Sequence, residues 1–154
     1  MPKTSSRTPR LGDVPTIPAP ERLLTAIKLA EVATQAAKEA VLARTGVTKA
    51  QYNALLVLHD SPGLTNSELA RRCFVTPQSM NETVGRLERD GFVSRQQHET
   101  HRHVVEIRIT PEGKEVFRAA DKEVVGLERR LRGELTGTEI DHLWDLLRRL
   151  THVD

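Results

Sequence analysis

The sequence predicts a mainly α-helical protein with one small β-ribbon, on the strength of three observations. Apolar residues recur at helical spacing over most of the chain after residue 20. Threonines followed directly by proline, or three residues later by Glu or Gln, mark successive helix starts. The segment 92–110 instead resembles a hairpin in its alternation of apolar and polar residues. Residues 65–110 therefore predict a helix, a tight turn, a second helix and a β-wing.

The first two predicted helices are bounded by local start and stop signals. Helical spacing of Leu, Ile, Ala and Val begins after Glu21 and ends at Gly46, a natural C-terminal stop. Thr48 and Gln51 then form a capping box that starts a second helix, because their side chains satisfy backbone N–H groups that the helix leaves unpaired. The turn sequence at residues 61–63 ends it.

The third and fourth helices form the predicted helix-turn-helix. Thr65 and Glu68 make another capping box, and the helix that they open extends to about Cys73. Thr76-Pro77 supplies an N-cap and a proline at the first helical position of the fourth helix. Asp90-Gly91 is its predicted stop.

The wing and the two last helices follow. Segments 92–97 and 104–109 suit strands, and the alternation of Val105, Ile107 and Ile109 with charged residues places these three on one expected face. A fifth helix follows with Thr110-Pro111 as its start and about Arg132 as its end, and a capping box at Thr136 and Glu139 starts a sixth.

Composition limits the class of protein. The 154 residues carry a formal net charge of +2, which permits binding to a polyanion without requiring it. The single cysteine, Cys73, excludes an intrachain disulfide and favours the reducing cytoplasm. No apolar run is long enough for a membrane span, and no apolar stretch follows the basic N-terminus as in a secretory signal. Because phosphate-loop and nucleophile motifs are also missing, we expect neither an enzyme nor a cofactor.

Four sequence blocks resemble the winged helix-turn-helix of the MarR family of transcriptional regulators, in order and at the family's spacing. They are Leu64-Thr-Asn-Ser-Glu-Leu-Ala70, Val75-Thr-Pro-Gln-Ser-Met-Asn81, Leu87-Glu-Arg-Asp-Gly-Phe-Val93 and Ile109-Thr-Pro-Glu-Gly113. The resemblance implies a homodimer that binds double-stranded DNA at a pseudo-palindromic operator. It also implies a repressor in most cases, under ligand or redox control in many.

Four segments follow from the composition and the resemblance together. Residues 1–20 hold five of the eight prolines and several basic residues, which predicts a disordered tail or, alternatively, a basic arm that touches DNA phosphates or the partner subunit. Residues 21–46 are the expected N-terminal dimerisation helix. Residues 47–110 are the DNA-binding region, and residues 111–154 are the C-terminal dimerisation helices.

The fourth helix is the predicted DNA-contacting element. Met80, Val84 and Leu87 fall on one apolar face, which is expected to point inward. The candidate DNA-binding residues lie opposite this face, on its flanks or at the start of the helix: Thr76, Gln78, Ser79, Asn81, Glu82 and Arg86. The amides of Gln78 and Asn81 suit an adenine edge in the major groove. The alternative interpretation is that this polar face of the fourth helix is exposed to solvent and contacts no DNA.

The tip of the wing, residues 98–103, carries the remaining candidate. Arg102 aligns with the family's wing arginine, which the resemblance places in a minor groove, where narrow A·T-rich segments attract arginine. The sequence departs from the family pattern at His101, where an aspartate is common. Protonation of the histidines at this tip would add positive charge near DNA phosphates as the pH falls.

Other functions remain open at this stage. A winged-helix sensor could bind metal through His98, His101 and His103 or respond to oxidation at Cys73, although a solvated cluster and a buried structural thiol are the plainer interpretations. A winged helix that only contacts proteins is a further alternative, for which an apolar or acidic exposed face would be expected.

A small aromatic or apolar effector is expected from the resemblance alone. The sequence offers Tyr52, His59 and Trp144 as weak candidates for lining its site, although such residues are more often ordinary core residues.

Overall fold

The computed structural model describes residue 18, residues 21–101 and residues 103–151. The predicted disordered tail therefore lies outside the described residues except for Pro18, and so does Arg102. The elements are α1 (Leu23–Leu42), α2 (Lys49–Asp60), α3 (Asn66–Arg72), α4 (Pro77–Arg89), β1 (Val93–Gln97), β2 (Val105–Ile109), α5 (Pro111–Gly133) and α6 (Gly137–Leu150). The predicted fold class, mainly α with a small β-wing, is confirmed.

Threonine caps fix where five of these helices begin. In each case the hydroxyl oxygen accepts the backbone N–H three residues later: Thr48, Thr65, Thr76, Thr110 and Thr136. All three predicted capping boxes are formed, with Gln51, Glu68 and Glu139 returning a bond to the cap. Each cap stabilises its helix by about 1 kcal/mol, so the helix starts are set by local chemistry.

The core surrounds α2. Leu55 and Leu58 of α2 are fully buried, as are Leu69 of α3 and Leu87 of α4. Phe117 of α5 closes the same cluster. Burying each of these side chains contributes about 1.5–3 kcal/mol, so α2 is the support against which the helix-turn-helix is held.

The wing is an antiparallel pair in which Val93 faces Ile109. A third segment joins it, because the Ile107 N–H donates to the Leu64 carbonyl at 2.8 Å. Ile107 is buried, as the alternation predicts. The alternation is wrong for its neighbours in the strand, because Val105 is 46% exposed and Glu106 only 8% exposed. The carboxylate of Glu106 can be buried because the guanidinium of Arg108, on the same strand, forms an ion pair with it.

The start of α5 is fastened to the turn between α4 and β1. The Thr110 N–H donates to the Phe92 carbonyl at 3.0 Å, and its hydroxyl donates to the Gly91 carbonyl at 2.7 Å. One turn further on, Gly113 packs so closely that an added Cβ would lie 2.0 Å from the Phe92 oxygen. The wing and α5 are therefore joined by direct backbone contact.

The described residues fall into two compact units, divided after Gln35. In the first unit, Leu23, Leu24 and Leu29 of α1 are exposed. In the second, α6 has no buried residue, and its apolar stripe is open to solvent in the single chain: Leu143, Leu147 and Leu150 are 46%, 42% and 38% exposed. None of the described helices has the length and hydropathy that crossing a membrane requires.

Candidate nucleic-acid interface

Helix α4 presents a polar face to solvent. Met80, Val84 and Leu87 are each at most 2% exposed, so the predicted inward face is buried as expected. All of the candidate residues named for this helix and its cap are exposed: Thr76, Gln78, Ser79, Asn81, Glu82 and Arg86. Amide and guanidinium groups on one helix face can donate to and accept from base edges and phosphates.

Local contacts order the N-terminal end of α4. The Thr76 hydroxyl accepts the Ser79 N–H at 3.1 Å and donates to the Ser79 hydroxyl oxygen at 3.0 Å. The Asn66 amide donates to the Pro77 carbonyl at 2.9 Å, which ties the first turn of α3 to the first turn of α4. Gln78, by contrast, projects from the exposed surface of this fixed first turn.

Arg95 of β1 lies beside the polar face of α4, although the sequence did not predict it as a DNA-binding residue. Its guanidinium donates to the Asn81 Oδ1 at 3.0 Å, and its Nε lies 3.4 Å from the Glu88 carboxylate. A carbonyl oxygen has two lone pairs, so Asn81 can still accept from a base while Arg95 orients it. The signal was present in the alternation of β1, since Arg95 is two residues from buried Val93 and shares its face.

Phe74 is a second feature that the sequence did not reveal. It lies in the turn between α3 and α4 with φ at +56°, a left-handed conformation that costs a residue with a side chain about 1 kcal/mol. Its ring is 95% exposed. An exposed phenylalanine therefore stands two residues before the Thr76 cap, at the same end of α4 as Gln78.

The wing histidines lie side by side. The ring centroids of His98 and His101 are 5.2 Å apart, and those of His101 and His103 are 6.0 Å apart. Across the described residues, however, His, Cys, Asp and Glu side chains form no group of three that could hold a metal ion. The metal-sensor alternative is not favoured. The position of Arg102 lies outside the described residues.

The redox alternative is not favoured either. Cys73 caps the end of α3 and is half-buried. Burial raises the pKa of its thiol, which keeps the group protonated and lowers the fraction of reactive thiolate. A redox sensor needs the opposite environment.

The candidate effector residues have different surroundings. Tyr52 is buried, and its hydroxyl donates to the Asp121 carboxylate at 2.8 Å. Burial and then this hydrogen bond raise the pKa of Tyr52 well above its ordinary value. The Tyr52 ring stacks on the Phe117 ring with centroids 6.0 Å apart, and the His59 ring is tilted against it with centroids 4.8 Å apart. Trp144 is instead 59% exposed on α6.

His59 also lines a pocket of about 420 Å³ beside α2, β2 and α5. The pocket is bounded by Leu58, His59, Pro62, Arg108, Ile109, Lys114 and Arg118. Its cationic groups come from β2 and α5, whereas its apolar side chains come from α2, the following turn and the end of β2. A lining that combines apolar side chains with cationic ones suits an anionic, largely apolar molecule.

Comparisons with known proteins agree with this geometry. The MarR family model matches residues 45–102. The HTH-type transcriptional repressor Rv2887 of Mycobacterium tuberculosis (strain ATCC 25618 / H37Rv) is 32% identical over 100 residues, which span 65% of this chain and 72% of that repressor.

Two solved structures are also similar. The transcriptional repressor CouR bound to a 23-mer DNA duplex superposes with a TM-score of 0.80 at 25% identity, covering 86% of this chain and 94% of that chain. The complex of Rv2887 with salicylic acid superposes with a TM-score of 0.67 at 27% identity, covering 84% and 96%.

Proposed function

Because the chain belongs to the MarR family of transcriptional regulators, we propose that it is a ligand-responsive repressor that binds a pseudo-palindromic operator as a homodimer. The observation that carries this proposal is the exposed polar face of α4, held over a buried apolar stripe and flanked by a wing. The DNA complex of CouR, which shares this fold, supports it. A winged helix used only for protein contacts would require a largely apolar or acidic face, and that of α4 is built from amides and arginines around Glu82.

Selection of bound duplexes from a random pool tests the proposal directly. We expect enrichment of an inverted repeat whose half-sites are separated by about one helical turn, because two recognition helices related by twofold symmetry enter successive major grooves about 34 Å apart. Recovery of unrelated sequences at every round would contradict sequence-specific binding.

Each segment has a role in the proposal. Residues 47–110 bind DNA, and residues 21–46 and 111–154 form the dimer. Arg102 enters the minor groove beside the half-site. The single cysteine is consistent with a cytoplasmic protein.

Gln78→Ala and Asn81→Ala are each expected to weaken binding to the selected operator by about 1–3 kcal/mol. The reason is that each removes an amide able to pair with a base edge, while the helix that carries it remains buried on its other face. Fluorescence anisotropy with the operator and with a scrambled duplex measures the effect, and the scrambled duplex should lose little.

Arg86→Ala is the matched contrast on the same helix. As a phosphate contact it should weaken both duplexes alike and reduce the slope of log affinity against log salt by about 0.9. If Gln78→Ala and Asn81→Ala behave in the same way, the amides hold phosphates and base recognition lies elsewhere.

We propose that the effector is a small aromatic carboxylate bound in the pocket beside His59. The salicylic acid complex of Rv2887 and the cations of the pocket support this choice. Arg118→Ala should weaken binding of salicylate by roughly tenfold, which is the cost of about 1.4 kcal/mol for losing a charged partner. Tyr52 and Trp144 stay predicted effector residues, although neither lines the pocket beside His59.

Calorimetry with salicylate measures this loss, and Arg129→Ala, an exposed arginine on the same helix but outside the pocket, is the control. Equal salicylate affinity in wild type and Arg118→Ala would place the effector elsewhere. A ligand that binds here but leaves operator affinity unchanged would show that the site does not regulate DNA binding, because a ligand shifts only an equilibrium between states that it binds differently.

A further inference from the structure

We infer that His98 is a positioning residue for DNA binding, which holds the wing in shape through a neutral ring that carries its proton on Nε2. The inference rests on the proposed function, because the shape of the wing affects binding only if the protein contacts DNA. It is carried by the surroundings of both ring nitrogens.

The first nitrogen, Nδ1, faces the turn of the wing. It accepts the backbone N–H of Thr100 at 3.1 Å and that of His101 at 3.2 Å. A ring nitrogen that accepts hydrogen bonds cannot carry a proton. The His98 N–H also donates to the Val104 carbonyl at 2.9 Å, which closes the hairpin around the ring. The residues that His98 holds directly precede Arg102 in the chain.

The second nitrogen, Nε2, faces Glu106. Its distance from the Glu106 Oε1 is 3.6 Å, and that carboxylate is only 10% exposed. The other oxygen of Glu106 accepts from both the Nη2 and the Nε of Arg108, at 2.6 and 3.1 Å. A fixed carboxylate favours a proton on the nitrogen that faces it, so Glu106 selects the tautomer that leaves Nδ1 free to accept.

Gly63 makes this arrangement possible. A Cβ at that position would lie 3.0 Å from the Glu106 Oε2 and 3.1 Å from the Arg108 Nη2, tighter than such contacts normally are. The glycine also has φ at +79°, which a residue with a side chain rarely adopts. The turn before α3 therefore leaves room for the ion pair that orients His98.

Two amide substitutions separate the roles of the two nitrogens. In His98→Asn the side-chain oxygen can occupy the place of Nδ1 and accept from the same turn, whereas in His98→Gln the longer amide reaches towards Glu106 instead. At about pH 8 we expect His98→Asn to bind the operator within about twofold of wild type. His98→Gln should bind roughly fivefold to tenfold more weakly, as expected for one lost hydrogen bond. Equal affinities in both variants, whether reduced or not, would overturn the inference.

A measurement without DNA keeps the inference separate from the proposed function. The ¹⁵N chemical shifts of the His98 ring at about pH 8 should show a protonated Nε2 and an unprotonated Nδ1. The opposite tautomer would overturn the inference. If wild-type protein selects no duplex, the proposed function fails, yet these shifts still decide how the ring is held.

Discussion

Replacement of Gly113 by alanine is expected to lower the free energy of unfolding by about 3 kcal/mol or more, a large share of the roughly 5–15 kcal/mol by which folded domains are stable. The added Cβ would lie 2.0 Å from the Phe92 oxygen and 2.8 Å from its carbonyl carbon. These are backbone atoms, so no side-chain rotation relieves the clash, and α5 must move away from the wing. Urea denaturation followed by circular dichroism measures the loss.

Gly126→Ala is the control for this substitution. Gly126 is in the same helix, and the nearest atom to its Cβ would be the Arg130 Nη1 at 3.9 Å. There the alanine should stabilise the protein by about 0.5–1 kcal/mol, because glycine in a helix interior is unfavourable. A Gly113→Ala protein as stable as wild type would mean that α5 does not pack against Phe92 as described.

Leu147→Asp and Leu143→Asp are expected to convert the proposed dimer into a folded monomer with operator affinity reduced by roughly 100-fold or more. Both leucines are close to half exposed on α6, so a carboxylate there disturbs no core of the single chain. In a dimer the partner subunit would cover both positions. The aspartate carboxylate would then be buried without a cation to pair with, which is unfavourable. A monomer engages only one half-site and loses the gain from simultaneous binding.

Sedimentation at micromolar concentration measures the assembly, and thermal melting checks the fold. His142→Asp is the matched control, because it places the same carboxylate on the same exposed helix but outside the leucine stripe. It should remain dimeric. A wild-type protein that sediments as a folded monomer would falsify dimerisation through α6.

Local chemistry accounts for what the sequence predicted well. The starts of α2 to α6 follow from threonines whose partners are three residues away, and the inward face of α4 follows from the helical period of Met80, Val84 and Leu87. Both depend on neighbours along the chain, which a sequence displays directly.

Contacts between elements account for what the sequence did not reveal. Arg95 contacts Asn81 from a different element, 14 residues along the chain. Glu106 becomes buried only because Arg108, His98 and the space at Gly63 meet around it. The alternation of β2 predicts that Glu106 is exposed. It is buried because of contacts with residues from other parts of the chain, which the alternation does not show.

The hydrogen bonds of Thr110, the residue that caps α5, couple the orientation of α5 to that of α4. They connect α5 to the carbonyls of Gly91 and Phe92, which follow directly on the C-terminal end of α4. We therefore expect a rotation of α5 to move that end of α4 as well, because the two hydrogen bonds connect them directly. Helix α4 is about 20 Å long, so a tilt of about 5° around its C-terminal end displaces its N-terminal end by roughly 2 Å. That displacement is enough to take Gln78 out of hydrogen-bonding range of a base edge.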